Sequence, residues 1–274
     1  MKYVTLNNGV KMPQLGFGVW QVEDQSATAA VLKAIEYGYR SIDTATVYQN
    51  EAGVGRAIKQ AKVNREDLFI TTKVWNTDQG YDNTIAAFED SLKRLGLDYV
   101  DLYLIHWPMP KHDKYVETYK ALEQLYTDGQ VKAIGVSNFE IEHLERLMKE
   151  TDIKPVVNQV ECHPHLVQQE LKDFCKKHDI FIEAYSPLEQ GGDVLKNEVL
   201  TEIAEKHGKT PAQVVLRWHI QNDTVIIPKS VTPSRIEENF QIFDFELSAK
   251  DMDAITKLDI GRRIGANPNE MNER

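Results

Sequence analysis

Short runs rich in β-branched and aromatic residues alternate with longer amphipathic stretches from about residue 15 to about residue 240. Eight of the runs are predicted as strands: Leu15 to Phe17, Arg40 to Asp43, Leu68 to Lys73, Val100 to Ile105, Val131 to Val136, Val156 to Gln159, Ile180 to Tyr185 and Thr224 to Ile227. Between them apolar residues recur at intervals of three and four, as in Ile85, Phe88, Leu92 and Leu95, or Tyr119, Leu122 and Tyr126, which places them on one helix face. Strands joined through helices pair in parallel, and eight of them close a barrel. The expected fold is α/β, a (β/α)8 TIM barrel formed as one domain over residues 1–274, with extra helices toward the C-terminus.

Ahead of the first strand, Tyr3 to Leu6 and Val10 to Gln14 flank Asn7-Asn8-Gly9, a hairpin signal, and this hairpin is expected to plug one end of the barrel. Thr210-Pro211-Ala212-Gln213 supplies an N-cap, a proline in the first helical position and a capping-box glutamine; Thr232-Pro233 repeats the first two signals. Ser248 is expected to cap a last helix that closes against the barrel through Met252, Ile255 and Leu258. An open doubly wound sheet is the competing architecture. It would carry G-x-G-x-x-G after its first strand, and Gly16-Phe17-Gly18-Val19-Trp20-Gln21 lacks the third glycine.

Composition narrows the function classes. With 42% hydrophobic and 27% charged residues and no Pro/Gly/Ser-rich linker, the chain is globular. A net charge of −10 weighs against nucleic-acid and anionic-membrane partners, which require clustered Lys and Arg. Met1 to Gly9 has no apolar run of the kind a secretion signal needs, and no stretch approaches the ~20 apolar residues of a membrane span. Two cysteines, Cys162 and Cys175, are too few for a disulfide framework, so a cytoplasmic protein is expected.

In a barrel of this kind the active site forms where strands end. The polar residues at those ends are Asp43, Lys73, His106, Ser137 with Asn138, Gln159, Tyr185 and Lys229, separated by 22 to 44 residues, about one β/α unit each. A single strand-end histidine or lysine is usually structural or solvated. An acid, a lysine, a histidine, amides and an aromatic on one ring make a catalytic constellation.

The same residues fall in three motifs. Gly38-Tyr39-Arg40-Ser41-Ile42-Asp43-Thr44-Ala45, followed by Tyr48, Glu51 and Val54-Gly55, resembles the first signature of the aldo-keto reductase family. Lys132-Ala133-Ile134-Gly135-Val136-Ser137-Asn138-Phe139 resembles the second, and Ile227-Pro228-Lys229-Ser230 with Arg235 and Asn239 the third. The resemblance runs from about Val4 to Asp259 and is nearest the small bacterial branch of 2,5-diketo-gluconate reductases and glyoxal or methylglyoxal reductases.

It implies NADPH-dependent reduction of aldehydes and reactive ketones, with a catalytic set of Asp43, Tyr48, Lys73 and His106. That set suits the chemistry, because hydride addition builds negative charge on oxygen that must be protonated and stabilised. Tyr48 is the implied proton donor, Lys73 is expected to lower its pKa, Asp43 to keep the lysine charged, and His106 to orient the carbonyl and share in proton donation. The resemblance further implies that Tyr185 stacks on the nicotinamide and that Ser137, Asn138 and Gln159 hold its carboxamide. Ser186 and Leu188 would meet the pyrophosphate, Lys229, Ser230 and Arg235 the 2′-phosphate, and Asn239 the adenine.

Trp20, Trp75 and Trp107 follow the first, third and fourth strands and are expected to line the substrate cleft together with His106. Glu161-Cys162-His163-Pro164-His165 has metal-capable side chains, but a proline separates its histidines and no second ligand pair follows, so no metal site is expected. Longer family members wall the pocket with a C-terminal loop. Here 16 residues follow Leu258, interrupted by Gly261, Gly265 and Pro268, and the expectation is a tail too short to do so, an open cleft and a monomer. The competing functions are a barrel aldolase using Lys73 as a Schiff-base nucleophile and a regulatory subunit that binds cofactor without turnover. The first needs a depressed lysine pKa, which a paired Asp43 opposes; the second is disfavoured by the complete catalytic set.

Overall fold

The computed structural model describes residues 1–273. Strands β1 (Tyr3–Thr5) and β2 (Lys11–Pro13) form the antiparallel hairpin, turning at Gly9 with φ +85°. Its position agrees with the expected plug. Val4, Leu6 and Met12 are buried against Phe69, Leu102, Leu104, Val157 and Val225 at one end of the barrel. Polar side chains hold it there: Asn7 Nδ2 donates to the carbonyls of Pro155 and Asp179, and Gln14 Nε2 to those of Ile220 and Thr224.

Eight strands follow in one parallel sheet ordered by sequence: β3 (Phe17–Gly18), β4 (Ser41–Asp43), β5 (Phe69–Val74), β6 (Leu102–Ile105), β7 (Ile134–Ser137), β8 (Val157–Glu161), β9 (Phe181–Tyr185) and β10 (Val225–Ile226). The barrel closes where Leu15 pairs in parallel with Ile226, through Gly16 N–H to the Ile226 carbonyl (2.8 Å) and Ile226 N–H to the Gln14 carbonyl (3.0 Å). The predicted strands all occur, with ends that match or shift by up to three residues.

Helices α1 (Asp24–Tyr37), α2 (Glu51–Gln60), α3 (Tyr81–Leu95), α4 (Tyr115–Thr127), α5 (Ile141–Glu150) and α6 (Gln169–Lys177) each follow a strand. Next come α7 (Glu198–His207), α8 (Pro211–Gln221), α9 (Pro233–Phe240) and α10 (Ala249–Thr256), of which α7 and α10 exceed the barrel repeat. Thr210 and Ser248 cap α8 and α10 as expected, each in a reciprocal capping box. Thr232 does not cap α9 with its side chain; its N–H is instead tied to Ser230 Oγ at 3.1 Å. Helix α10 packs on α7 and α8 rather than on the strands, because Ile255 and its neighbours join a separate apolar cluster around Trp218, Leu200 and Val214.

Alternation along each strand sends every second side chain inward. Hence Phe69, Thr71 and Lys73 on β5, or Phe181, Glu183 and Tyr185 on β9, climb from the plugged end to the open one. Gly135 makes room in this interior: a Cβ there would lie 2.6 Å from the Val157 carbonyl oxygen and 2.9 Å from Leu104 Cδ2. Gly135→Ala is therefore expected to lower unfolding stability by about 1–3 kcal/mol through overpacking, read as a reduced urea midpoint with an unchanged slope.

Candidate active site

The open end collects the strand-end residues around a buried ion pair. Lys73, with no exposed surface, donates to Asp43 Oδ1 at 2.6 Å and to the Thr44 carbonyl at 2.9 Å. Burial pulls its pKa down, but Asp43, Tyr48 and Glu183 together outweigh burial and the lysine ends above its ordinary value. The ion pair with Asp43 works against a depressed, nucleophilic lysine.

Tyr48 sits half-buried in a short turn that is fixed on both sides. Thr46 Oγ1 donates to the Lys73 carbonyl, Thr44 Oγ1 to Asn50 Oδ1, and Asn50 Nδ2 to the carbonyls of Val19 and Val22. The Lys73 ammonium lies 5.1 Å from the Tyr48 ring centroid. The expected lowering of the tyrosine pKa is reversed in sum: burial raises it by more than Lys73 lowers it. Desolvating a phenolate costs more than one cation, itself neutralised by Asp43, returns.

His106 touches the rings of Tyr48 and Trp75 edge-on, at 5.6 and 5.1 Å between centroids, and is stacked parallel to Trp107 at 6.5 Å. Burial, then the Lys73 charge, hold its pKa well below the ordinary imidazole value. Both effects favour the neutral imidazole over the imidazolium. Trp20 stands exposed on the rim after β3 and makes no ring contact with this group among the described residues.

The residues implied for the cofactor form a continuous arc. Ser137 Oγ donates to the Gln159 carbonyl, Asn138 Nδ2 to the His106 carbonyl, and Tyr185 Oη to Asn138 Oδ1. Asn138 adopts φ +63°, a left-handed conformation that asparagine tolerates. Gln159 Nε2 donates to both Asp43 Oδ2 (2.7 Å) and Glu183 Oε2 (2.8 Å). Ser186 turns the chain with φ +48°, whereas the Leu188 side chain packs into the apolar clusters and leaves only its main chain for a pyrophosphate. Ser230 and Asn239 are buried beside α9, with Lys229 and Arg235 exposed and without ion pairs among the described residues. Two uncommitted cations at a helix start fit a dianionic phosphate.

The C-terminal tail departs from expectation. Far from ending short, it crosses the open face: Ile264 and Gly265 donate their N–H groups to the buried Glu161 carboxylate, each at 2.7 Å, and Arg262 pairs with the buried Glu189. At the far side Asn76 Nδ2 donates to the Glu273 carbonyl and Lys111 N–H to Asn272 Oδ1. Gly265 lies over the platform, where an added Cβ would be 3.5 Å from Tyr185 Oη. The tail is held largely through backbone groups, a pattern that residue identity conceals. Its anchors come from the Glu161 to His165 turn, with His163 against Glu161 (2.9 Å) and His165 against Glu189 (3.1 Å). Burial raises the Glu161 carboxyl pKa, but His163 and the two tail amides outweigh it and hold it below the ordinary value. Among the described residues no three metal-capable side chains converge.

Comparison with known proteins places the chain among relatives along nearly its whole length. The model of the aldo/keto reductase family matches residues 14–260. The glyoxal reductase of Bacillus subtilis (strain 168) is 60% identical over 269 residues, covering 98% of this chain and 96% of that protein. Methylglyoxal reductase DkgA of Escherichia coli (strain K12) is 52% identical, with 97% of each chain covered. The crystal structure of a Gox0644 mutant in complex with NADPH superposes with a TM-score of 0.94 at 49% identity, covering 98% of both chains.

If the tyrosine hydroxyl delivers the proton, Tyr48→Phe is expected to bind NADPH with little change while turnover falls by at least about 10²-fold. Steady-state kinetics beside a fluorescence titration of cofactor check it, and near-normal turnover would refute the assignment.

Proposed function

The chain belongs to the aldo/keto reductase family, and we propose that it reduces small aldehydes and vicinal dicarbonyls, glyoxal and methylglyoxal among them, with NADPH and with Tyr48 as proton donor. The observation that carries this reading is the convergence of Tyr48, His106 and the Lys73–Asp43 pair on one point of the barrel mouth. NADPH supplies hydride to the carbonyl carbon. The chain's own groups then act on the oxygen: neutral His106 donates a hydrogen bond that orients it, and Tyr48 releases its hydroxyl proton to it. Lys73 stabilises the phenolate charge that develops, and Asp43 holds the ammonium in place.

Lys229, Ser230 and Arg235 would hold the 2′-phosphate. Tyr185, Ser137, Asn138 and the free Oε1 of Gln159 would form the nicotinamide platform. We propose a monomer as the acting species. No helix among the described residues is long and apolar enough to cross a membrane. The two buried free thiols support a reducing, cytoplasmic setting.

Substrate size follows from the tail. With residues 260–273 strapped across the mouth, access for a bulky ketone is restricted, so small carbonyls have the advantage. Purified protein with NADPH and a substrate panel is expected to show higher kcat/KM for methylglyoxal than for steroid ketones. Truncation after Asp259 should narrow that gap, and a wild-type preference for steroid ketones would overturn the reading.

Cofactor choice rests on the two cations. Each charged hydrogen bond to phosphate is worth about 1.5–3 kcal/mol, about one to two decades in affinity. Arg235→Ala should therefore weaken NADPH binding by that factor and leave NADH binding nearly unchanged in parallel fluorescence titrations. An equal loss for both would make the residue structural.

A further inference from the structure

Beneath the catalytic residues lies a group that the reaction as described does not use. Glu183, at the centre of β9, has no exposed surface. One of its oxygens, Oε2, accepts from Gln159 Nε2 at 2.8 Å; the other, Oε1, is buried without a partner among the described residues. The second hydrogen of the same amide goes to Asp43 Oδ2 at 2.7 Å.

We propose that Glu183 is a positioning residue of the reductase: by sharing the Gln159 amide with Asp43, it orients both groups and sets a second carboxyl beneath the Lys73–Asp43 pair. The inference rests on the reductase reading above. Its geometric core is the amide. With both N–H groups committed to carboxyls, Gln159 must turn its Oε1 the other way, toward the cofactor platform, and a flipped amide would set that oxygen against Asp43.

The charge state of Glu183 then matters to the chemistry. An ionised carboxylate with one donor in a dry interior is expensive. Burial first, and the Asp43 charge second, push its pKa up to about 8 against the opposing pull of Gln159 and Lys73. The charged groups that face it are Asp43 on β4 and Lys73 on β5, while its register partners Gln159 on β8 and Val225 on β10 are uncharged. While Glu183 is neutral, the interior holds one cation and one anion. When it ionises, the extra negative charge raises the pKa of both Lys73 and Tyr48 and makes Tyr48 a weaker acid.

The sign for stability follows from the same shift. A carboxyl whose pKa is raised by folding contributes stability below its unfolded value of ~4.3, lost as pH rises through about 8. Glu183→Gln keeps the acceptor and abolishes titration, whereas Glu183→Leu abolishes both. For methylglyoxal reduction by the full-length protein with NADPH, wild-type kcat/KM is expected to fall on an alkaline limb centred near pH 8. Glu183→Gln should stay within about threefold of wild type near pH ~6 and shift that limb upward by about one unit or more. Glu183→Leu, lacking the hydrogen bond to Gln159, should lose about tenfold in kcat/KM even near pH ~6, a loss that glutamine rescues.

Thermal unfolding supplies a readout independent of turnover: the Tm advantage of Glu183→Gln over wild type should widen between pH ~5 and pH ~9. An unmoved limb in the glutamine variant, a Tm difference that does not change with pH, or a leucine variant equal to the glutamine variant would each overturn the proposal. A wild-type protein without NADPH-dependent turnover would instead overturn the reductase reading, and the unfolding measurement would still judge Glu183.

Discussion

A fully buried lysine is a liability that this barrel accepts at its most important point. Removing an ammonium from water costs several kcal/mol even after relaxation, and loss of its partner leaves that cost uncompensated. Asp43 at 2.6 Å and the Thr44 carbonyl at 2.9 Å meet it, the first at the end of the strand next to the one that carries Lys73 and the second just past it. The register between β4 and β5 thus decides whether the pair forms. Other features secure that register and the turn above it: Thr46 bonds the Lys73 carbonyl, Asn50 ties the Tyr48 turn to the chain after β3, and buried Glu51 binds Thr72 and Arg94. The long first motif is the covalent record of this single requirement.

With the lysine kept charged, the electrostatics of the site become simple. Burial dominates Tyr48 and His106 alike, and in each it favours the uncharged form. The result is a tyrosine biased toward its protonated phenol and a histidine biased toward its neutral imidazole. In the proposed mechanism Lys73 contributes as charge moves onto the phenol oxygen, and its ammonium already lies 5.1 Å from the Tyr48 ring centroid.

Strand-end chemistry was open to reading because strand ends are where a parallel barrel must place its polar groups, and Asp43, Lys73, His106 and Gln159 obey that rule. Glu183 obeys the opposite one. It lies mid-strand, in Phe181-Ile182-Glu183-Ala184-Tyr185, where a single acid within an otherwise apolar run signals a buried carboxyl but names no partner. The tail escaped for a different reason: amide hydrogens of Ile264 and Gly265 make its decisive bonds, and any residue except proline supplies those. Its one legible part, the Glu161 to His165 turn, reads as a weak metal motif because the same side chains serve as anion and hydrogen-bond partners. Leu188 and Thr232 illustrate a smaller limit, since a residue type suited to contact or capping is only a candidate until packing chooses.

The hairpin at the far end has a consequence for traffic. With Leu6 and Met12 packed against Phe69, Leu102 and Leu104, the far end is sealed over a solid core and only one face of the barrel is open. Carbonyl, alcohol and both forms of the nucleotide must all pass the same rim, as must the proton consumed in each turnover. Arrival and departure therefore compete for one passage, and the enzyme is organised as a queue rather than a channel.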